Sequence, residues 1–189
     1  MRTFPVQYKP TDLTSSLPTA FEYHNVIDKQ MADEIIKLAT EHDGWHRRGS
    51  KSSWVDASFT TTLLHDTSHP LYDILDGLWK RVTEDHNISI DFVEVYEVKE
   101  YGVGDGFGVH NDSHEKIDVP IDRKLNLILQ LSDPDSYEGG NLYVKDHLAT
   151  RELGSVIFFP ANYLHALTKI TSGVRYSLIG HGWGNVNRR

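Results

Sequence analysis

Two hydrophobic periods divide this chain of 189 residues, a three- to four-residue step in its first half and a two-residue step in its second. Residues 1–19 are polar, with several Pro, Ser and Thr, and read as an extended arm. FEYHNVI (21–27) reads as a short strand. Asp28 is a good N-cap for the segment KQMADEIIKLATEHDG that follows. Met31, Ile35, Ile36, Leu38 and Ala39 give it an apolar stripe, and Gly44 is placed to end it. WHRRGSKSSWVDAS (45–58) is polar and turn-rich, with two tryptophans. LYDILDGLWKRVTEDH (71–86) is a second helix, with Leu71, Ile74, Leu75, Leu78 and Val82 on one face.

From about residue 89 the pattern alternates. Ile88, Ile90 and Phe92 share one parity, then Val93 and Val95 the other, so this strand-like stretch contains an interruption. KLNLILQL (124–131) is the clearest strand. Leu125, Leu127, Leu129 and Leu131 share one face; Asn126, Ile128 and Gln130 share the other. The leucines suit packing against the helices. The amide face suits either water or, in a sheet that curves into a barrel, a polar cavity. A turn cluster, DPDSYEGGNLYV (133–144), leads into GSVIFFP (154–160) and VRYSLIGHGW (174–183), two further strands. Helices first and then a run of short strands predict an α+β domain with a mainly β core, the helices packed on one side.

Composition narrows the function. Hydrophobic residues make up 39% of the chain, enough for a core. The net charge of −8 argues against a general nucleic-acid or acidic-membrane binder, which carries a basic footprint. With no cysteine, disulfides, iron–sulfur clusters and thiol catalysis are excluded, and a metal site must use His and carboxylate ligands. No apolar h-region opens the chain, so the expected location is cytoplasmic.

The candidate chemistry centres on HNDSH (110–114). In an extended strand His110 and Asp112 project to one side, which makes a partial site for a first-row metal. A solvated loop gives the same triplet, so a third ligand must come from elsewhere. His165, after an apolar strand and a Pro-Ala-Asn turn, is the better third ligand; His114 reads as a surface residue. Ten residues after His165 stands Arg175, with Ser177, Ile179 and His181 on its parity. An inward-pointing guanidinium needs an anion, from the protein or from a ligand.

In this order the residues resemble the iron(II)/2-oxoglutarate-dependent oxygenases. Tyr101-x-x-Gly104-x-x-Phe107-x-x-His110-x-Asp112 looks like the approach strand of the prolyl 4-hydroxylase-like branch. RKLNLILQLSDPDSYEGGNL (123–142) and GSVIFFPANYLHALTKITSGVRYSL (154–178) are similar to the PKHD-type hydroxylases within it. The resemblance covers roughly residues 90 to 183. It implies a double-stranded β-helix, a jelly-roll barrel over 89–185, with 1–88 as a helical support region of the same single domain. It implies Fe(II) on His110, Asp112 and His165, three positions being left for 2-oxoglutarate and O2, with ascorbate as reductant. It implies Arg175 on the far carboxylate of 2-oxoglutarate, with Tyr101, Gln130, Asn126 and Ser177 around the same molecule. This favours the cavity reading of the amide face.

The implied reaction hydroxylates a C–H bond as 2-oxoglutarate is decarboxylated to succinate, and no separate catalytic side chain is required. A prolyl residue in a peptide or protein is the substrate the resemblance implies first; a free amino acid or other small molecule is the alternative. Arg123, His181 and Trp54 are the expected substrate-side residues, and 45–54 the expected flap. A surface arginine, a hairpin histidine and an ordinary loop are the plainer and favoured readings of Arg123, His181 and 45–54. A cupin-like metal binder without oxygenase activity is the reading from another class, and it would not need Arg175. A zinc hydrolase is disfavoured because no HExxH-like pattern occurs.

Overall fold

A computed structural model describes residues 2–3, 17–41, 46–51, 56–64, 67–113 and 120–185. In chain order the elements begin with β1 (Arg2–Thr3), β2 (Phe21–Tyr23), α1 (Lys29–Thr40), β3 (His46–Lys51), β4 (Asp56–Leu63) and α2 (Leu71–His86). Then come β5 (Phe92–Val93), β6 (Glu97–Tyr101), β7 (Gly106–His110), β8 (Ile121–Gln130), β9 (Tyr137–Gly139) and β10 (Leu142–Val144). The last are β11 (His147–Leu148), β12 (Val156–Pro160), β13 (His165–Leu167), β14 (Ile170–Gly173) and β15 (Arg175–Asn185).

Both helices form where the stripes predict them. The Asp28 side chain caps α1 by accepting from Met31 N at 2.9 Å. α1 buries Ala32, Ile35 and Ala39, while Leu38, expected on the stripe, is exposed. α2 buries Leu71, Tyr72, Leu75, Trp79 and Val82, and ends at Asn87 in the left-handed conformation.

The strands are antiparallel, and the main sheet runs β11-β10-β13-β7-β4-β6-β15-β8-β12-β2. β1, β3 and β5 branch from it, and β9 pairs separately with β14. Alternation on β8 divides two cores. Leu125, Leu127, Leu129 and Leu131 pack with α1 and α2. Ile128 belongs to a second cluster on the opposite face, with Phe59, Tyr101, Leu142, Phe159 and Ile179. Backbone bonds from Asp112 N to Ala161 O (2.8 Å) and from Ala161 N to Lys124 O (3.0 Å) tie the ends of β7, β12 and β8 together.

The expected boundary at residue 88 needs correction, because β2, β3 and β4 come from the first 88 residues and pair into the same sheet. β4 lies between β7 and β6, inside the barrel. The polar segment at 46–51, expected as part of a flap, is a strand hydrogen-bonded to β4 from His46↔Thr61 to Lys51↔Asp56.

On β15 two glycines flank His181 for a steric reason. A Cβ on Gly180 would lie 2.7 Å from Tyr96, and one on Gly182 would lie 2.8 Å from Trp79. Both neighbours are fully packed, so the outward face of β15 has no room for a methyl group there. Gly182→Ala is expected to cost about 1–3 kcal/mol through overpacking, read as a lowered denaturant midpoint at unchanged slope.

Candidate metal and co-substrate site

β7 and β13 pair with His110 opposite His165, so register alone brings the two imidazoles together. Their ring centroids are 4.1 Å apart. Asp112 follows β7 and is anchored by its backbone bond to Ala161. Donor atoms of His110, Asp112 and His165 all lie within 4.8 Å of one another. Among the described residues this is the one cluster of His and carboxylate groups spaced to hold a metal ion.

The donor set is prepared for a cation. His110 Nδ1 lies 2.8 Å from Gly108 O, and His165 Nδ1 lies 3.0 Å from Tyr163 O. A carbonyl only accepts, so both Nδ1 atoms donate and both Nε2 lone pairs turn to Asp112, 3.6 and 3.3 Å from its oxygens. Burial, reinforced by His165, pushes the His110 imidazole down to about 4, so it is neutral at pH 7. Burial by itself would raise the Asp112 carboxyl. The neighbouring His165, then His181 and His110, outweigh it and hold the carboxyl well below the usual range. Two imidazoles and one carboxylate on one side of an open cavity match the facial set of non-haem Fe(II) sites.

That cavity is about 510 Å³. Its apolar wall includes Phe59, Phe107, Ile128, Leu142, Phe159 and Ile179. Phe107 stacks on His110, ring centroids 4.0 Å apart. Arg175 lies in the same cavity and is 2% exposed. Its guanidinium donates to Ser177 Oγ at 3.2 Å and to Gln130 Oε1 at 2.9 Å. Nε has no partner, and among the described residues no carboxylate pairs with this charge. The Tyr101 ring lies 5.5 Å from the guanidinium carbon, and burial raises the pKa of its hydroxyl. Gln130 and Ser177, expected around the co-substrate, thus orient the arginine.

Asn126 is placed differently from its expected co-substrate contact. Its amide is held between Asp112 (2.7 Å) and His181 (2.8 Å). His181 lines the cavity, as expected on the Arg175 parity, and burial, then Arg123, push its imidazole down to about 3. Arg123 also lines the cavity, but its Nε and Nη2 are engaged by Glu94 at 2.8 and 2.9 Å. Trp183 Nε1 donates to the same carboxylate. Trp54 and His114 lie outside the described residues.

Four contributors escaped the sequence reading. Phe59 and Leu63 line the cavity from β4, whose Phe59, Thr61 and Leu63 parity was the available signal. Lys99 is a third cation in the cavity, 3.3 Å from Glu97 and 4.6 Å above the Phe59 ring. It shares the strand parity of Tyr101. Glu94 was hidden because it follows β5 rather than a regular strand.

A curled antiparallel sheet thus encloses a His-Asp-His set able to hold a metal and a buried arginine with no carboxylate partner among the described residues. The comparisons with known proteins point to one family. The family model of the 2OG-Fe(II) oxygenase superfamily matches residues 96–183. A PKHD-type hydroxylase of Caulobacter sp. (strain K31) is 43% identical over 83 residues, 40% of this chain and 37% of that protein. One from Hyphomonas neptunium is 27% identical over 167 residues, 82% of this chain and 74% of that protein. The viral collagen prolyl hydroxylase vCPH from Paramecium Bursaria Chlorella virus-1, solved with 2OG, superposes with a TM-score of 0.70 at 16% identity, covering 88% of this chain and 96% of that one. A Pseudomonas putida prolyl-4-hydroxylase gives 0.67 at 13% identity, over 90% and 93%. The barrel is a double-stranded β-helix, and residues 96–183 within it are similar to the 2OG-Fe(II) oxygenase superfamily. Enzymes of this family use Fe(II), 2-oxoglutarate and O2, and His110, Asp112 and His165 are the residues here that can hold the iron. The match to the Caulobacter protein spans little more than a third of that protein's length. No helix among the described residues is long and apolar enough to cross a membrane.

Proposed function

We propose that this protein is an Fe(II)- and 2-oxoglutarate-dependent dioxygenase that hydroxylates a C–H bond of a prolyl residue in a peptide or protein. The observation that carries this reading is Arg175: a buried guanidinium with no carboxylate partner among the described residues, in the same cavity as the metal triad. A charge so placed calls for an anion, and the far carboxylate of 2-oxoglutarate is one. Iron held by the triad would supply the activation of O2. The overall change is R–H, 2-oxoglutarate and O2 to R–OH, succinate and CO2.

The chain's own residues position and exclude. Ser177 and Gln130 fix the plane of the Arg175 fork, so its remaining N–H groups face one carboxylate in a set orientation. Aromatic and aliphatic walls keep water from the reacting centre, which protects a reactive oxidant from side reactions. The prolyl substrate is supported by the likeness to proteins described as prolyl hydroxylases. The cavity also holds two opposite-charge pairs, Arg123 with Glu94 and Lys99 with Glu97. They favour a second reading, a free amino acid that brings both an ammonium and a carboxylate.

Succinate formation in the presence of Fe(II), 2-oxoglutarate and O2 separates the two. Stimulation by proline-containing peptides but not by free amino acids is expected. Stimulation by free amino acids alone overturns the prolyl-peptide reading in favour of the second.

A further inference from the structure

Asn126 on β8 stands opposite His181 on β15 in the strand register. Both ends of its amide are engaged, at 2.7 Å with Asp112 Oδ2 and 2.8 Å with His181 Nδ1. Donor and acceptor roles follow from chemistry. A carboxylate only accepts, so the amide turns its NH2 to Asp112. The amide oxygen then faces His181, and it too only accepts, so Nδ1 carries the proton. Neutral imidazole has one N–H, which leaves the Nε2 lone pair free. No described residue hydrogen-bonds to Nε2, and His181 lines the cavity. Asn126 and His181 are both nearly fully buried, so neither amide nor imidazole exchanges these partners readily for water.

We propose that Asn126 is a positioning residue for the metal-binding carboxylate, that His181 holds Asn126 in place, and that this relay leaves His181 Nε2 as a hydrogen-bond acceptor facing the substrate cavity. The carboxylate needs such a holder. Asp112 follows the end of β7 and is not itself in a strand. One of its oxygens is engaged by Asn126, and the other stays near His110. Without the amide, the carboxylate loses its one amide donor and is free to rotate. The acceptor at the far end suits a substrate that brings an N–H or O–H group. The metal end of the relay stands on geometry alone; the substrate end rests on the oxygenase reading.

Co(II) titration of the metal-free protein, without 2-oxoglutarate, tests the metal end. Asn126→Leu, similar in size but without hydrogen bonds, is expected to bind Co(II) roughly 10–100-fold more weakly. His181→Phe is expected to show a smaller loss. His181→Gln restores affinity, because its amide can donate to Asn126 and still present an oxygen to the cavity. The tautomer of His181 in the 15N-labelled, Zn(II)-loaded protein tests the cavity end, with Nδ1–H expected. Wild-type Co(II) affinity in folded Asn126→Leu, or an Nε2–H tautomer in the wild type, overturns the proposal. If Asn126→Leu does not fold, His181→Phe with its Gln rescue and the wild-type tautomer still decide. None of these readouts involves 2-oxoglutarate, so failure of the relay and failure of the oxygenase reading are told apart.

Discussion

Replacing Arg175 with Ala is expected to weaken 2-oxoglutarate binding by roughly 30-fold or more, with little effect on metal affinity. Truncating one partner of a buried, hydrogen-bonded charge pair costs on the order of 2–5 kcal/mol, and each 1.4 kcal/mol is tenfold. In this structure the guanidinium is buried, Nε is unpartnered, and among the described residues its hydrogen-bond partners are neutral. A desolvated charge without its counterion costs stability, so Arg175→Met should leave the ligand-free fold as stable as the wild type or more so. Calorimetric titration reads the first effect and denaturant melts the second. A variant that loses fold stability but keeps 2-oxoglutarate affinity would make Arg175 a structural residue.

The second large effect concerns the triad. His165→Ala is expected to abolish turnover and tight metal binding while the fold persists. His165 contributes one of three donor atoms, and its imidazole is otherwise tied only to Tyr163 O and Asp112. Its loss opens a small space beside the cavity rather than a void in the helix-backed core. Asp112→Ala should be as damaging to the metal, since it removes the site's one carboxylate. Metal analysis after dialysis, beside a melting curve, checks both. Full metal occupancy in either variant removes that residue from the site.

Much of this site was legible because strand parity and metal chemistry are both local rules. His110 and Asp112 fall on one side of a strand, and four leucines on β8 mark the helix-facing side. The order of His165 and Arg175 behind them carried the family resemblance. The β3–β4 hairpin was not legible. Its polar, turn-rich lead-in hides a strand whose value lies in tertiary pairing with β6 and β7. Glu94 and Lys99 were missed for a related reason: a charge inside a cavity looks like a surface charge until its partner is known. Asn126 shows the limit most clearly. Parity placed it on the cavity face, but only the fold shows that Asp112 and His181 occupy both ends of its amide.

The most direct measurement is an anaerobic titration of the Fe(II)-loaded protein with 2-oxoglutarate, followed through the weak visible charge-transfer band of the chelate. A band that saturates at about one equivalent and weakens in Arg175→Ala is the expected result. No band, with iron shown to be bound, would contradict the co-substrate assignment and leave a cupin-like metal binder as the account of the triad.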